Sequence, residues 1–173
     1  MKSNLIFIGM PGCGKSTIGV LTAKVLCLSF IDTDLLIQEK TGMRLQEIID
    51  SEGTDAFCRI EKETLIGLSF ASTLIATGGS AIYYPEAMAH LGELGTIVYL
   101  KASPETIKVH LADFSRRGIA MPREMTIEEL YVERAPLYER YADITVDISD
   151  GSISENMEAV LRALREIGHP LIS

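Results

Sequence analysis

The 173-residue sequence has no tryptophan, and Phe and Tyr together make up only 6% of it. That scarcity excludes the aromatic platforms on which single-stranded nucleic acid stacks. Cysteine is sparse and odd in number. Cys13, Cys27 and Cys58 form no Cys-x-x-Cys pair, so neither a disulfide scaffold nor a thiolate metal site is expected, and a reducing cytoplasm suits the chain. Long hydrophobic runs are missing too. The apolar stretch Leu5 to Ile8 stops at Gly9, too short for a signal peptide's core or a membrane span. Positive charge is in deficit, with 16 Lys and Arg against 24 Asp and Glu and a net charge of −8. A nucleic-acid backbone is therefore a poor partner, and any phosphate must be gripped locally. What remains is ordinary globular composition, 47% hydrophobic and 23% charged, with no repeat or low-complexity segment.

The hydrophobic pattern alternates between two periods. Leu5 to Ile8, Leu28 to Ile31, Thr73 to Ala76, Thr96 to Leu100 and Ile144 to Asp147 read as short strands, most of them apolar enough to be buried on both faces. Between them the apolar residues recur at helical spacing. The expected helices run from Lys15 to about Leu28, through Leu35 and Arg44 to Asp50, from Asp55 to Leu68, from Pro85 to Leu94, from Pro104 to about Phe114, from Thr126 to Tyr141, and from Ser152 to Ile167. On the third of these, Phe57, Ile60, Thr64 and Leu68 are expected on one side; on the last, Ile153, Met157, Val160, Leu161 and Leu164. Strands alternating with helices predict an α/β fold, a five-stranded parallel sheet covered on both faces. The stretch 115–125 has no clean period and carries Arg116, Arg117 and Arg123, so it reads as a mobile lid.

Chemistry concentrates where strands end. Gly9-Met10-Pro11-Gly12-Cys13-Gly14-Lys15-Ser16 fits G-x-x-x-x-G-K-[ST], with Thr17 next. A buried strand feeds this loop and an amphipathic helix leaves it, so backbone N–H groups and a helix N-terminus converge on one anion. Gly12 to Thr17 are thus candidate ATP-binding residues; Lys15 would reach the β- and γ-phosphates and the Ser16 hydroxyl would ligate Mg²⁺. Cys13 reads as a small residue that fits the turn. Asp32 and Asp34 follow the second strand, where ligands of open α/β sheets bind. One carboxylate would organise Mg²⁺ and the other would take the proton of an acceptor hydroxyl, while either or both could cap the next helix. Gly78-Gly79-Ser80 after the third strand offers close backbone approach to a small ligand, or a simple turn. In Arg134-Ala135-Pro136-Leu137-Tyr138 the proline would break a helical ladder and re-aim Arg134, whose guanidinium suits a carboxylate or phosphate. One or more of the cations Arg116, Arg117 and Arg123 would neutralise charge in phosphoryl transfer. His90, His110 and His169 are dispersed and read as surface or helix-end residues.

In their order and spacing these motifs resemble the shikimate kinase family, from Leu5 to the last helix. The marks are Gly9 to Thr17, Asp32-Thr33-Asp34, Glu52-Gly53…Phe57…Glu61, Gly78-Gly79, and Arg134 to Tyr138. The resemblance implies the three-layer P-loop fold of nucleoside-monophosphate kinases and one kinase domain over 1–173, with a lid near 115–125 and an acceptor-binding helical segment over about 34–62. It also implies the phosphorylation of shikimate in aromatic amino acid biosynthesis. Lys15, Ser16 and Asp32 then match the ATP and Mg²⁺ residues, Asp34 the residue that activates the acceptor hydroxyl, and Gly78, Gly79 and Arg134 the acceptor site. Three positions depart from the family pattern. Cys58 stands where the family has an arginine, with Arg59 one residue and about 100° of helix rotation away. Ser80 replaces the third glycine, and the lid lacks the usual Arg-Pro-Leu-Leu; Arg117-Gly118-Ile119 is the nearest equivalent, so the resemblance makes Arg117 the candidate ATP-binding and catalytic arginine. Arg59 and Ser80 join the candidate acceptor-binding residues. The expected partner is a small hydroxyl acceptor met by a monomer: shikimate first, otherwise a hydroxy acid, a hydroxyl amino acid or a sugar acid. A non-catalytic nucleotide-binding module is the alternative of another class.

Overall fold

The computed structural model describes residues 4–113, 125–148 and 151–172. Five parallel strands, β1 (Asn4–Ile8), β2 (Ser29–Asp32), β3 (Thr73–Ala76), β4 (Gly95–Lys101) and β5 (Ile144–Asp147), pair in the order β2-β3-β1-β4-β5. Each apolar run foreseen as a strand is one. Leu5 to Ile8 have no solvent exposure, as strands flanked on both faces require. At the lower edge the Asn4 side chain donates to the Phe70 and Leu94 carbonyls and accepts from the Thr73 N–H, closing the backbone there.

The chain winds outward from β1 in one direction to β2 and β3, then crosses to β4 and β5 on the other side. The crevice above the carboxyl end of β1, between β3 and β4, is therefore the switch point of the sheet. Helix α1 (Lys15–Val25) leaves the loop after β1 and packs against α8 (Ile153–Glu166). It ends three residues before the periodicity suggests. Cys27 turns the backbone left-handed at φ +55°, the Leu28 N–H bonds the Ala23 carbonyl and the Cys27 N–H the Lys24 carbonyl, which together make a Schellman stop built on a cysteine.

Between β2 and β3 lie α2 (Thr33–Thr41), α3 (Leu45–Glu52) and α4 (Thr54–Ile66), which share a small core of Ile37, Leu45, Ile48 and Phe57 beside the main one. Phe57, Thr64 and Leu68 are buried as expected, Ile60 is only half-buried, and Ala56, Glu61 and Leu65 are buried beside them. Helices α5 (Pro85–Leu94), α6 (Pro104–Asp113) and α7 (Ile127–Tyr141) complete the layers, and Thr126 and Ser152 cap α7 and α8 with capping boxes. Helix α7 runs unbroken through Pro136, so the proline does not interrupt the element as the sequence suggests. The lid assigned to 115–125, with Arg116, Arg117 and Arg123, lies outside the described residues except for Met125.

Candidate active site

A cleft of about 480 Å³ opens at the switch point. Its floor is the loop between β1 and α1. Gly14, at φ +99°, turns this loop into the helix in a conformation that a side chain would oppose. Lys15 is 8% exposed, and its ammonium donates to the carbonyls of Gly9 and Met10, each at 2.8 Å, with the Cys13 sulfur at 3.8 Å. The His110 Nδ1–H donates to the Gly12 carbonyl at 2.8 Å and steadies the loop from α6. The Ser16 hydroxyl donates to Asp32 Oδ2 at 2.5 Å, while Asp32 Oδ1 accepts the Asp34 N–H at 2.9 Å. Asp32 is thus the N-cap of α2 and the partner of Ser16 at once; Asp34 is not the cap but sits in the first turn, lining the cleft.

The opposite wall is made by the turn after β3 together with α4 and α7. The Gly78 N–H donates to Thr33 Oγ1 at 3.1 Å, and the Tyr138 hydroxyl donates to the Gly79 carbonyl at 2.6 Å. A methyl group on Gly78 would lie 2.9 Å from Asp34 Oδ1 and run into Glu61 Oε1, so a larger residue there would displace both carboxylates. Arg134 is 2% exposed. Its Nε–H donates to the Tyr83 hydroxyl at 3.0 Å, its guanidinium carbon lies 5.0 Å from the Tyr83 ring centre, and that hydroxyl in turn donates to Glu133. Glu61, fully buried, accepts from the hydroxyls of Ser80 at 2.6 Å and Tyr84 at 2.9 Å. Burial drives its carboxyl above the usual range; the Ser80 and Tyr84 hydrogen bonds and then the Arg134 charge pull it part of the way back.

Most residues marked from sequence converge here: Gly12 to Thr17 on one side, with Asp34, Gly78, Gly79, Ser80 and Arg134 on the other. Asp32 stands behind Ser16. Arg59 does not join them. It lies on the exposed face of α4, because the half-buried neighbour Cys58 takes the inward turn. Ser80 lines the cleft, yet its hydroxyl is turned to Glu61. Arg117 lies outside the described residues. Glu61 is one of the marks of the resemblance but has no role assigned from the sequence, and the histidines were read too simply: His169 is buried, bonded through Nε2 to Thr96 Oγ1 at 3.0 Å, and His90 bonds the Leu68 carbonyl at 2.8 Å.

The model of the family described as "Shikimate kinase" matches residues 11–165 of this sequence. The chain belongs to the shikimate kinase family. A shikimate kinase of Caldanaerobacter subterraneus subsp. tengcongensis is 38% identical over 163 residues, 92% of this chain and 95% of its own. A solved shikimate kinase of Acinetobacter baumannii, in complex with shikimate, superposes with a TM-score of 0.89 at 28% identity, covering 96% of this chain and 94% of that one. The enzyme of Aquifex aeolicus superposes at 0.81, with 28% identity and coverage of 96% and 98%. Membership in the shikimate kinase family makes the protein a small-molecule kinase that uses ATP, which sets aside the non-catalytic module. It also bears out the parallel P-loop architecture read from the sequence. No helix among the described residues is long and apolar enough to cross a membrane.

Proposed function

We propose that this protein transfers the γ-phosphoryl group of ATP to a hydroxyl of shikimate, giving shikimate 3-phosphate. The observation that carries the reading is the pairing, within one cleft, of a phosphate-binding loop with a buried arginine and an aspartate on the facing wall. Phosphoryl transfer needs positioning and charge neutralisation more than covalent chemistry, and the cleft offers both. Amides of Gly12 to Thr17 and the N-terminus of α1 hold the phosphates. Lys15, anchored over the loop by two carbonyls, supplies the charge beside the β- and γ-oxygens. Asp34 accepts the hydrogen of the attacking hydroxyl and orients its oxygen. Arg134, with the Gly78–Gly79 backbone, takes the acceptor carboxylate in a bidentate grip. Arg117 is assigned to the phosphates from sequence alone.

Ser16 and Asp32 fit Mg²⁺. They present a hydroxyl and a carboxylate already 2.5 Å apart, hard oxygen donors of the kind this ion takes in ones and twos, leaving other positions to water and phosphate. Bound there, the ion neutralises charge that develops on the phosphate oxygens. The reading includes a cytoplasmic, monomeric, single-domain kinase without a nucleic-acid or membrane partner; of these, the net charge of −8 supports the exclusion of nucleic acid.

The test is ADP release from the purified protein with Mg-ATP, with and without shikimate. Shikimate-dependent turnover with a KM in the usual range of about 1 μM to 1 mM is the expected result. Intact ATP binding with no stimulation by shikimate would overturn the assignment and turn attention to other hydroxylated acids.

A further inference from the structure

The phosphate loop is held mostly by its own residues. Met10-Pro11-Gly12-Cys13 closes as a turn in which the Cys13 N–H donates to the Met10 carbonyl at 3.2 Å. Proline stands at its second position and Gly12, at φ +77°, at its third, which is the pattern of a type II turn. The Lys15 ammonium bonds the same Met10 carbonyl and that of Gly9. The Gly12 carbonyl is served from elsewhere: His110, 98 positions later on α6, donates to it through Nδ1–H at 2.8 Å. A carbonyl only accepts, so this bond fixes a proton on Nδ1. The next residue, Leu111, packs against the same turn, since a methyl group on Gly12 would lie 2.9 Å from its side chain. The His110 ring itself is exposed and lines the cleft.

The peptide joining Gly12 to Cys13 is therefore gripped at both ends, its N–H by Met10 and its C=O by His110. A peptide is planar, so two such grips decide which way it faces, next to a glycine that leaves the backbone free to turn. A loop that binds an anion through backbone N–H groups works best when those groups are already in place, because any ordering left to the moment of binding weakens it. We propose that His110 is a positioning residue for the nucleotide: its bond to the Gly12 carbonyl fixes the tip of the phosphate loop before the nucleotide arrives, so that a side chain on α6, outside the motif, sets the affinity for the phosphates. This rests on the reading, given under Proposed function, that the loop holds the phosphates of ATP.

The test is titration calorimetry of the purified full chain with Mg-ADP, which needs no acceptor, alongside steady-state kinetics and thermal melts, for H110A, H110N, H110Q and K15M. Asparagine places its amide N–H near the position of Nδ1 and can keep the bond to Gly12; glutamine places it near the position of Nε2 and cannot. The loss of one hydrogen bond should make H110A and H110Q bind Mg-ADP about three- to tenfold more weakly and raise the KM for ATP by the same factor, with kcat and the KM for shikimate within about twofold. H110N should recover most of that loss. An exposed side chain should move Tm little, and H110Q carries the same prediction if H110A folds poorly. The brace is overturned if H110A and H110Q leave Mg-ADP affinity unchanged, or if kcat and both KM values worsen together. It is also overturned if H110N loses as much affinity as H110A or H110Q keeps the parent affinity, since the ring would then act through something other than Nδ1. K15M separates the two ideas. If it keeps both nucleotide affinity and turnover, the phosphate-loop reading itself fails; if it loses them while the His110 variants do not, only the brace fails.

Discussion

Asp32 carries two duties that can be separated by substitution. Its Oδ1 caps α2 by accepting the Asp34 N–H, and its Oδ2 accepts the Ser16 hydroxyl at the start of α1. Replacing it with alanine removes both bonds. A lost N-cap costs about 1 kcal/mol. A lost hydrogen bond to a half-buried carboxylate costs roughly 1.5 kcal/mol. The sum, about 2–3 kcal/mol, should lower Tm by roughly 5–10 °C in a chain of this size. Asparagine is different, because it caps as well as aspartate and its amide can donate to the Ser16 oxygen. Asp32→Asn should therefore keep Tm within about 2 °C of the parent, since both local bonds survive. It removes the negative charge that suits Mg²⁺, so turnover should drop in both variants. Differential scanning calorimetry and the ADP-release assay together decide the matter. A Tm loss in D32N as large as in D32A would refute the capping account, and full activity in D32N would refute the metal role.

Three further outcomes follow from the geometry. Asp34→Asn should lower kcat about 10²–10⁴-fold with little change in ATP affinity, as expected for loss of a group acting on the acceptor proton; equal losses in kcat and ATP binding, measured by titration calorimetry, would move Asp34 to the nucleotide. Cys27→Gly relieves a side chain held at φ +55° and should stabilise by about 1 kcal/mol, visible as a higher Tm, whereas no gain would mean the cysteine's exposed contacts compensate. Burial holds the His169 imidazole below its ordinary pKa, and its Nδ1 accepts the Leu171 N–H, so folding favours the neutral ring. The unfolded chain therefore binds the proton more readily. Stability from this residue is complete above about pH 6.5 and is lost as the pH falls below that value. His169→Gln should flatten the acid limb of a denaturation series below about pH 6.5, and an unchanged limb would refute the account.

The strands were legible as short apolar runs ending near glycine, aspartate or serine; two-sided burial enforces that pattern in β1, β3 and β4, while the edge strands β2 and β5 are only partly buried. The starts of α5, α6, α7 and α8 were legible from Pro85, Pro104, Thr126 and Ser152, whose side chains act locally. The end of α1 was not, because a left-handed cysteine gives no compositional sign. The loop of Gly9 to Ser16 announces itself, since its chemistry depends on backbone spacing within one segment. The surroundings of Glu61 do not. The motif marks the residue, but its hydrogen-bond partners are a serine and a tyrosine about twenty residues away, after β3. Arg59 misled for the complementary reason: a single residue of helical phase separates solvent from the interior, and Cys58 holds the inward position.

The tripeptide Asp32-Thr33-Asp34 joins two hydrogen-bonded territories. Asp32 answers to Ser16 and so to the phosphate loop, while the Thr33 hydroxyl receives the Gly78 N–H and so belongs to the acceptor wall. Inheritance can therefore act on the two halves at different rates. Exchanges such as Cys58 and Ser80 can rework the chamber for the accepting molecule while the loop that grips ATP stays as it is. The tripeptide answers to both halves at once and has the least freedom to drift.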